Sequence, residues 1–425
     1  MSKKKDNIEV DVFNPLLSAL RENDKKNLFK TNVTTAFLKT GFPLYDYFFG
    51  SVINIHDKDN KIIKQEPRVG QAAGTFNMVV GHSGSSKTSL CIQLANNIIR
   101  PFKNGTIIHY DCEHRMDLTR IENLTKLNPN DFLTGRYIFK QVTVGLDSIQ
   151  EMIVKMYVHK MKLKNELEVE TESLDEFGNK IKILPPTVII IDSVTSVTTE
   201  TLSWENSKDI SNAEKLQSNT EGARSAKTFK GFLNDVLSMC KEANIIIFAI
   251  NHINSNMQMN AFLPVAKQQN YLKQDESIPG GKALIFYSFN IVKMIAKPGD
   301  NFVEESDGFN GHIVMVEPIK SSTNQSGNNT KGVSFNLVFS FKDGMDSLRS
   351  TIMYGKDMGV IEGNKTRMKF KDNPSFTFSF KDIHNEAKEK PIWENIKKYI
   401  IPLLNENLPY IKPDMNQFDE RSMDY

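Results

Sequence analysis

Gly81-His82-Ser83-Gly84-Ser85-Ser86-Lys87-Thr88 is the stretch whose reading decides the fold. An apolar run, Phe76-Asn77-Met78-Val79-Val80, leads into it. A run of helical character, Ser89 to Ile99, leaves it. Strand, small-residue loop, Lys-Thr and helix is the context in which a chain cradles phosphate. Backbone N–H groups of such a loop turn inward onto phosphate oxygens, and the following helix N-terminus adds partial positive charge. Lys87 is placed to reach β- and γ-phosphates, and the Thr88 hydroxyl to hold Mg²⁺. The expected ligand is therefore a chain of phosphates with Mg²⁺, gripped by Gly81 through Ser89. One position departs from the pattern: Ser86 stands where glycine normally precedes the lysine. The plainer alternative is a Ser/Gly-rich turn that binds nothing. The strand before the loop and the Lys-Thr pair at the helix start disfavour it.

The chain has 425 residues, 39% hydrophobic and 24% charged, which suits one large folded core with smaller flanking pieces. Its net charge is only +2, so nucleic-acid binding requires a local patch. Three widely spaced cysteines, Cys91, Cys112 and Cys240, fit a reducing compartment and buried thiols. No apolar run is long enough to span a bilayer, and Met1 to Asp6 lacks a secretory pattern. The chain reads as cytoplasmic, with no membrane partner.

Short apolar runs at Thr106–Tyr110, Thr187–Ile191, Ile245–Ile250 and Phe289–Ile295 read as strands buried on both faces. Helical stretches separate most of them, which predicts an α/β fold with a mainly parallel central sheet. Val333 to Phe341 alternates and predicts a half-exposed strand. Three pieces follow. Residues 1–31 form an N-terminal arm, either a solvated terminus or a segment that docks on a neighbouring subunit. Residues 32–345 form the core. Residues 346–425 form a small C-terminal subdomain with a helix over Pro391–Ile400 and a short acidic tail. Residues 56–68 read as a polar insertion with hairpin character, and 164–186 as a charged, solvated excursion.

Phosphate chemistry needs an acidic partner for Mg²⁺. The run Thr187-Val188-Ile189-Ile190-Ile191 ends in Asp192, a carboxylate at a strand tip suited to that task. Hydrolysis also needs a group to polarise water. Tyr110-Asp111-Cys112-Glu113-His114 leaves a strand where ligands of parallel sheets bind, so Glu113 or Asp111 falls near the γ-phosphate. Ala249-Ile250-Asn251-His252 ends another strand with a polar pair suited to sensing that phosphate. The long connection that follows carries Met257, Phe262, Lys267, Tyr271 and Lys273 and closes on Pro279-Gly280-Gly281. Cations for phosphates and rings for bases suit single-stranded nucleic acid. The bland alternative is a surface loop with an apolar plug. A second connection, Val197 to Glu221, contains Trp204 and leads into Gly222-Ala223-Arg224-Ser225-Ala226-Lys227-Thr228-Phe229-Lys230, a basic helix start.

In this order the motifs resemble the RecA recombinases, most closely the tailed-phage UvsX branch, across roughly residues 32 to 365. Asp111-Cys112-Glu113-His114-Arg115-Met116-Asp117 is similar to the segment that carries the catalytic glutamate. Arg224 to Lys230 resembles the helix after the first DNA loop, and Gly280-Gly281-Lys282-Ala283-Leu284-Ile285-Phe286-Tyr287 the segment closing the second. The resemblance implies a RecA-type P-loop ATPase core and assigns roles by position. Glu113 activates water, and His252 couples the γ-phosphate to the second DNA loop. Asp117 lies near the adenine, and Arg120 takes a position where a ring often stacks on the base. Lys320, in Glu317-Pro318-Ile319-Lys320-Ser321-Ser322, reaches the ATP of the adjacent subunit; Ser322 stands where a second basic residue is usual. Arg224, Phe262, Lys267, Lys273, Gly280 and Gly281 fall to DNA. The implied function is an ATP-dependent recombinase that forms helical filaments on single-stranded DNA, pairs it with double-stranded DNA, and works with a single-strand-binding protein and a loader in a phage-infected bacterial cell. The alternatives are a replicative helicase motor on a RecA-type core and a non-catalytic ATP-binding filament or clock-like regulator.

Overall fold

A computed structural model of the chain describes residues 35–57, 61–197, 221–255, 272, 276–304, 309–322, 333–408 and 410. The chain divides into two compact units, residues 1–35 and 36–425. The proposed arm at 1–31 and the acidic tail lie outside the described residues.

The second unit is a mixed α/β structure around a nine-stranded sheet. Its strands are β1 (Phe76–Gly81), β2 (Thr106–Asp111), β3 (Tyr137–Lys140), β4 (Thr187–Asp192), β5 (Ile245–His252), β6 (Asn290–Glu304), β7 (Phe309–Ser321), β8 (Phe335–Ser340) and β9 (Gly344–Asp346). Their spatial order is β9-β8-β7-β6-β1-β5-β4-β2-β3. From β6 to β3 all pairings are parallel, and from β6 to β9 they are antiparallel. The helices that position the site are α1 (Lys87–Ile99), α2 (Leu118–Thr125), α3 (Leu146–Lys162), α4 (Glu221–Ala243), α5 (Lys282–Tyr287), α6 (Ser347–Asp357) and α7 (Glu386–Tyr399).

Two cores explain why β4 and β5 are apolar along nearly their whole length. Val188 and Ile190 of β4, with Ile246 and Phe248 of β5, face Leu90, Leu94 and Ile98 of α1. Ile189 and Ile191, with Ile245 and Ile247, face α3 and α4 through Ile149, Ile153, Phe232 and Val236. Alternate residues thus enter opposite layers, each fully buried side chain contributing about 1.5–3 kcal/mol of burial. Cys91, Cys112 and Cys240 are free and buried in these layers. Among the described residues no helix is long and apolar enough to cross a membrane.

Three features differ from the sequence expectation. Strand β8 buries Val338 as well as its alternating neighbours. Helix α6 covers that edge, and the Val338 amide donates to Ser350 Oγ at 2.9 Å. The predicted helix at Pro391 begins five residues earlier, at Glu386, where the Asn385 side chain caps it. The 56–68 insertion belongs to a hairpin, as expected, Ser51–His56 with Ile62–Arg68, and the 164–186 segment, not expected to pair, holds a second, Val169–Leu174 with Lys180–Ile183. They touch: the His56 amide donates to the Glu176 carbonyl at 2.9 Å. The 164–186 segment is thus tied to the first hairpin, while most of its charged side chains, Lys164, Glu166, Glu168, Glu170, Glu172, Lys180 and Lys182, stay exposed, as a solvated excursion predicts.

Residues beyond 346 do not build a separate core. Ile352, Ile361, Met368, Phe370, Ile392 and Ile396 belong to the same apolar cluster as Leu90 and Phe335. Asp346 caps α6 and accepts from His384 Nε2 at 2.9 Å. That hydrogen bond raises the His384 pKa; burial opposes it, while Arg349 lowers it and Glu389 raises it further. Burial works against ionised Asp346, but His384 and Arg349 outweigh it and hold its pKa below the usual value. A raised histidine stabilises the fold fully below its unfolded pKa of about 6.5 and ceases to as pH rises through the folded value. A lowered aspartate stabilises above its unfolded value of about 3.9 and ceases to as pH falls through the folded one. His384→Gln should therefore lower the melting temperature more at pH 6 than at pH 8. With the His384 side chain 57% exposed the effect stays below about 1 kcal/mol. Equal losses at both pH values would contradict this account.

Candidate functional site

Parallel strands place their carboxyl ends on one edge, and the register aligns them. Asp192 lies opposite Asp111, and His252 opposite Gly81. Chain order also reverses about β1: its neighbour β5 lies on one side and the next strand, β6, on the other. A crevice at the strand ends of such a reversal is where open α/β sheets take ligands. The crevice here is a cleft of about 350 Å³ lined by residues 83–89, Asp111, Glu113, Arg115, Met116, Arg120, Asp192, His252, His312, Ser340 and Phe341.

The loop 81–88 joins β1 to α1. Gly81 is required by space, since a Cβ there would lie 2.4 Å from the Met294 carbonyl oxygen. Gly84 (φ 78°) and Ser86 (φ 61°) both take the left-handed conformation. The His82 carbonyl is the loop's internal anchor: Lys87 Nζ donates to it at 2.7 Å and Ser85 Oγ at 2.8 Å. Lys87 is buried, which lowers its pKa, while Asp192 and Glu113 draw it back upward. The Thr88 hydroxyl donates to Asp192 Oδ2 at 2.5 Å. Burial pushes the Asp192 carboxyl up to about 6; the Thr88 bond and Lys87 oppose this, and Glu113 and Asp111 add to it. Thr88 and Asp192 are hard oxygen donors in contact, a set that fits Mg²⁺, which takes one or two protein ligands and fills its shell with phosphate and water. Among the described residues no group of three or more His, Cys, Asp or Glu side chains could hold a metal by itself.

Asp111 and Glu113, equivalent on sequence grounds, differ in place. Asp111 is buried and its Oδ2 accepts from the Met116 amide and Gln141 Nε2, each at 2.9 Å. It holds the turn that follows β2. Glu113 faces the cleft, and its Oε1 accepts from His252 Nε2 at 2.8 Å. Burial raises the Glu113 pKa, but hydrogen bonds from His252 and Ser193, with Arg115 nearby, outweigh this and hold it below the usual value. Glu113 is an ionised acceptor at neutral pH, so the shared proton sits on His252 Nε2.

The other expected residues spread more widely. Asp117 caps α2 through the Arg120 amide at 2.7 Å. Arg120 is not a stacking surface; its guanidinium donates to the carbonyls of Phe341 (2.6 Å) and Lys342 (2.8 Å) and to Ser89 Oγ (3.1 Å). Lys320 lies away from its own chain's cleft, with Nζ on the carbonyls of Ile285 (3.0 Å) and Phe286 (2.7 Å) near the end of α5. Gly280 and Gly281 form the turn before α5, both at positive φ. Arg224 falls in the first turns of α4, where only the backbone is described. Phe262, Lys267, Lys273 and Trp204 lie outside the described residues.

No protein-family model matches this chain, and no curated protein is similar enough to carry an argument. The reading of the cleft rests on its geometry.

Sequence reasoning missed His312, Phe341 and Ser193. Phe341 is 53% exposed, and its ring stacks on His312 with centroids 5.3 Å apart. Both come from the antiparallel edge of the sheet, more than 200 residues after the loop they face, with no local motif to mark them. Ser193 follows Asp192 directly, and a polar pair at a strand tip was the available signal.

Proposed function

We propose that the chain is a DNA-dependent ATPase of the RecA recombinase type, binding ATP with Mg²⁺ in the cleft and forming helical filaments on single-stranded DNA. The mostly parallel sheet and the position of the cleft at its strand ends are compatible with a RecA-type core. The observation that carries the reading is the His252–Glu113 hydrogen bond. His252 ends β5, and the chain runs from there through residues 253–279 to the Gly280-Gly281 turn. Asn251 Nδ2 donates to the Pro279 carbonyl at 2.9 Å, so both ends of that long connection are tied beside Glu113. A connection of such length is uncommon unless functional, and its basic and aromatic residues suit single-stranded DNA. The state of the carboxylate and the state of the connection are thus linked through one hydrogen bond.

In this reading Lys87 leaves the His82 carbonyl for the β- and γ-phosphates, and the helix N-terminus of α1 offers further donors. Thr88 and Asp192 would hold Mg²⁺, which when bound would supply positive charge against that developing on the phosphoryl group. Glu113 orients and deprotonates the attacking water. Phe341 offers a ring to the adenine, the role Arg120 does not fill. Lys320 reaches the adjacent protomer's ATP by exchanging two carbonyl acceptors for phosphate oxygens. Homologous pairing with double-stranded DNA is read by base pairing in the filament, aided by a single-strand-binding protein and a loader in the infected bacterial cytoplasm.

Electron microscopy of the protein with ATP and single-stranded DNA tests this reading directly, with deletion of residues 256–275 as its control. Full-length protein should form filaments, with affinity falling steeply as salt rises. The deletion should remain folded and lose DNA binding. Rings with duplex unwinding would favour the helicase motor. Unchanged DNA affinity after the deletion would remove the DNA role of that connection.

A further inference from the structure

Serine at position 86 has a conformational cost. Its backbone lies at φ 61°, ψ 21°, where glycine is at ease and an L-residue is strained. Its side chain has a specific partner: Ser86 Oγ and His312 Nε2 are 2.9 Å apart. His312 lies on β7, its ring stacked against both Phe339 (centroids 5.9 Å apart) and Phe341 (5.3 Å). The ring is thereby held in one plane at the rim of the cleft, and both Ser86 and His312 line it.

The proton on this pair can be placed. His312 Nδ1 is buried and, among the described residues, has no hydrogen-bond partner. Burial pushes the ring's pKa below the ordinary histidine value, so the imidazole is neutral. One nitrogen then carries hydrogen. An orphaned buried N–H is rarer and costlier than an orphaned acceptor, so the proton stays on Nε2. His312 therefore donates and Ser86 Oγ accepts. A hydroxyl that accepts from one side keeps its own proton for another partner.

We propose that Ser86 is a phosphate-binding residue and His312 its positioning residue: the histidine fixes the serine hydroxyl so that its free O–H donates to a phosphate oxygen of the nucleotide. Glycine at this position can supply the backbone conformation but no such donor. The serine exchanges conformational ease for one more charge-assisted hydrogen bond, held by a ring on a different part of the sheet. This inference rests on the reading of the cleft as a nucleotide site.

The test is the affinity of full-length protein for a fluorescent ADP analogue, with unlabelled ADP, ATP and adenosine as competitors. Ser86→Gly relieves the backbone and removes the hydroxyl. His312→Phe keeps a ring for the aromatic stack and removes the donor. Each should weaken ADP and ATP binding about tenfold, the scale of one hydrogen bond to a charged group. The double variant should be no weaker than either alone, because the two residues act through one bond. Adenosine, which has no phosphate, should compete equally well with every variant. Melting temperatures identify any variant that misfolds, and Ser86→Gly guards against that by easing the loop. Unchanged or tighter ADP binding by Ser86→Gly would overturn the proposal, as would multiplying losses in the double variant or an equal loss for adenosine. A wild-type chain that binds no nucleotide would overturn the nucleotide-site reading itself, and the pair with it.

Discussion

Lys87→Ala is expected to abolish ATP turnover while leaving the chain folded. The ammonium is buried at the mouth of α1, held 2.7 Å from the His82 carbonyl by the loop it closes. In such a site a fixed cation acts at low effective dielectric, against charge that grows on the phosphoryl oxygens. Removing one preorganised donor of that kind costs about 10²–10³-fold in rate. The fold should tolerate the change, because the His82 carbonyl keeps the Ser85 hydroxyl at 2.8 Å. No buried carbonyl is orphaned, and the loss in stability should stay near 1 kcal/mol, an ordinary hydrogen bond. Phosphate release at saturating ATP, with and without DNA, measures the first effect, and thermal unfolding the second. A normal rate of turnover would remove the phosphate-loop reading altogether.

Glu113→Gln separates binding from hydrolysis. The amide cannot accept the water's proton, so turnover should fall about 10²- to 10⁴-fold, the range for losing a positioned base. Its carbonyl oxygen can still accept from His252 Nε2, so the link between cleft and connection survives. The variant should therefore bind ATP, bind single-stranded DNA in its presence, and fail to release it. His252→Ala offers the converse, since it leaves the carboxylate and removes the link. Retained hydrolysis in Glu113→Gln would move the base to Asp111 or elsewhere. That carboxylate is already committed to the Met116 amide and Gln141 Nε2, so freeing it would require the 112–116 turn to rearrange.

Both predictions draw on residues visible in the sequence, and the reason is periodicity. Strands at Thr106–Asp111, Thr187–Asp192 and Ile245–His252 lie where short, unbroken apolar runs predicted them, within two residues at their ends. A strand covered by helices on both faces is apolar over most of its length, so its carboxyl end is marked where charged or amide residues begin. Asp111, Asp192 and Asn251 stand at those ends, which is why strand ends and candidate site residues were legible together. Strands β3, β7 and β9 were not foreseen. β3 is an edge strand of four residues, and β7 mixes charged and apolar residues along an antiparallel hairpin.

The sequence by itself determined the central strands, the mainly parallel sheet, and most of the polar groups at its carboxyl edge. Those are properties of local pattern. Only the tertiary structure decided that Asp111 is committed to the turn after β2 while Glu113 meets His252, that Arg120 holds a turn 221 residues away, and that Ser86 meets a histidine 226 residues away. Pairings of that kind depend on the register between distant strands, and no local pattern encodes a register set by the packing of the whole sheet. The same reason covers the C-terminal region. A change of composition after Met345 marks a boundary in sequence, but Ile352, Phe370 and Ile396 share one core with Leu90 because helix α6 lies against β8.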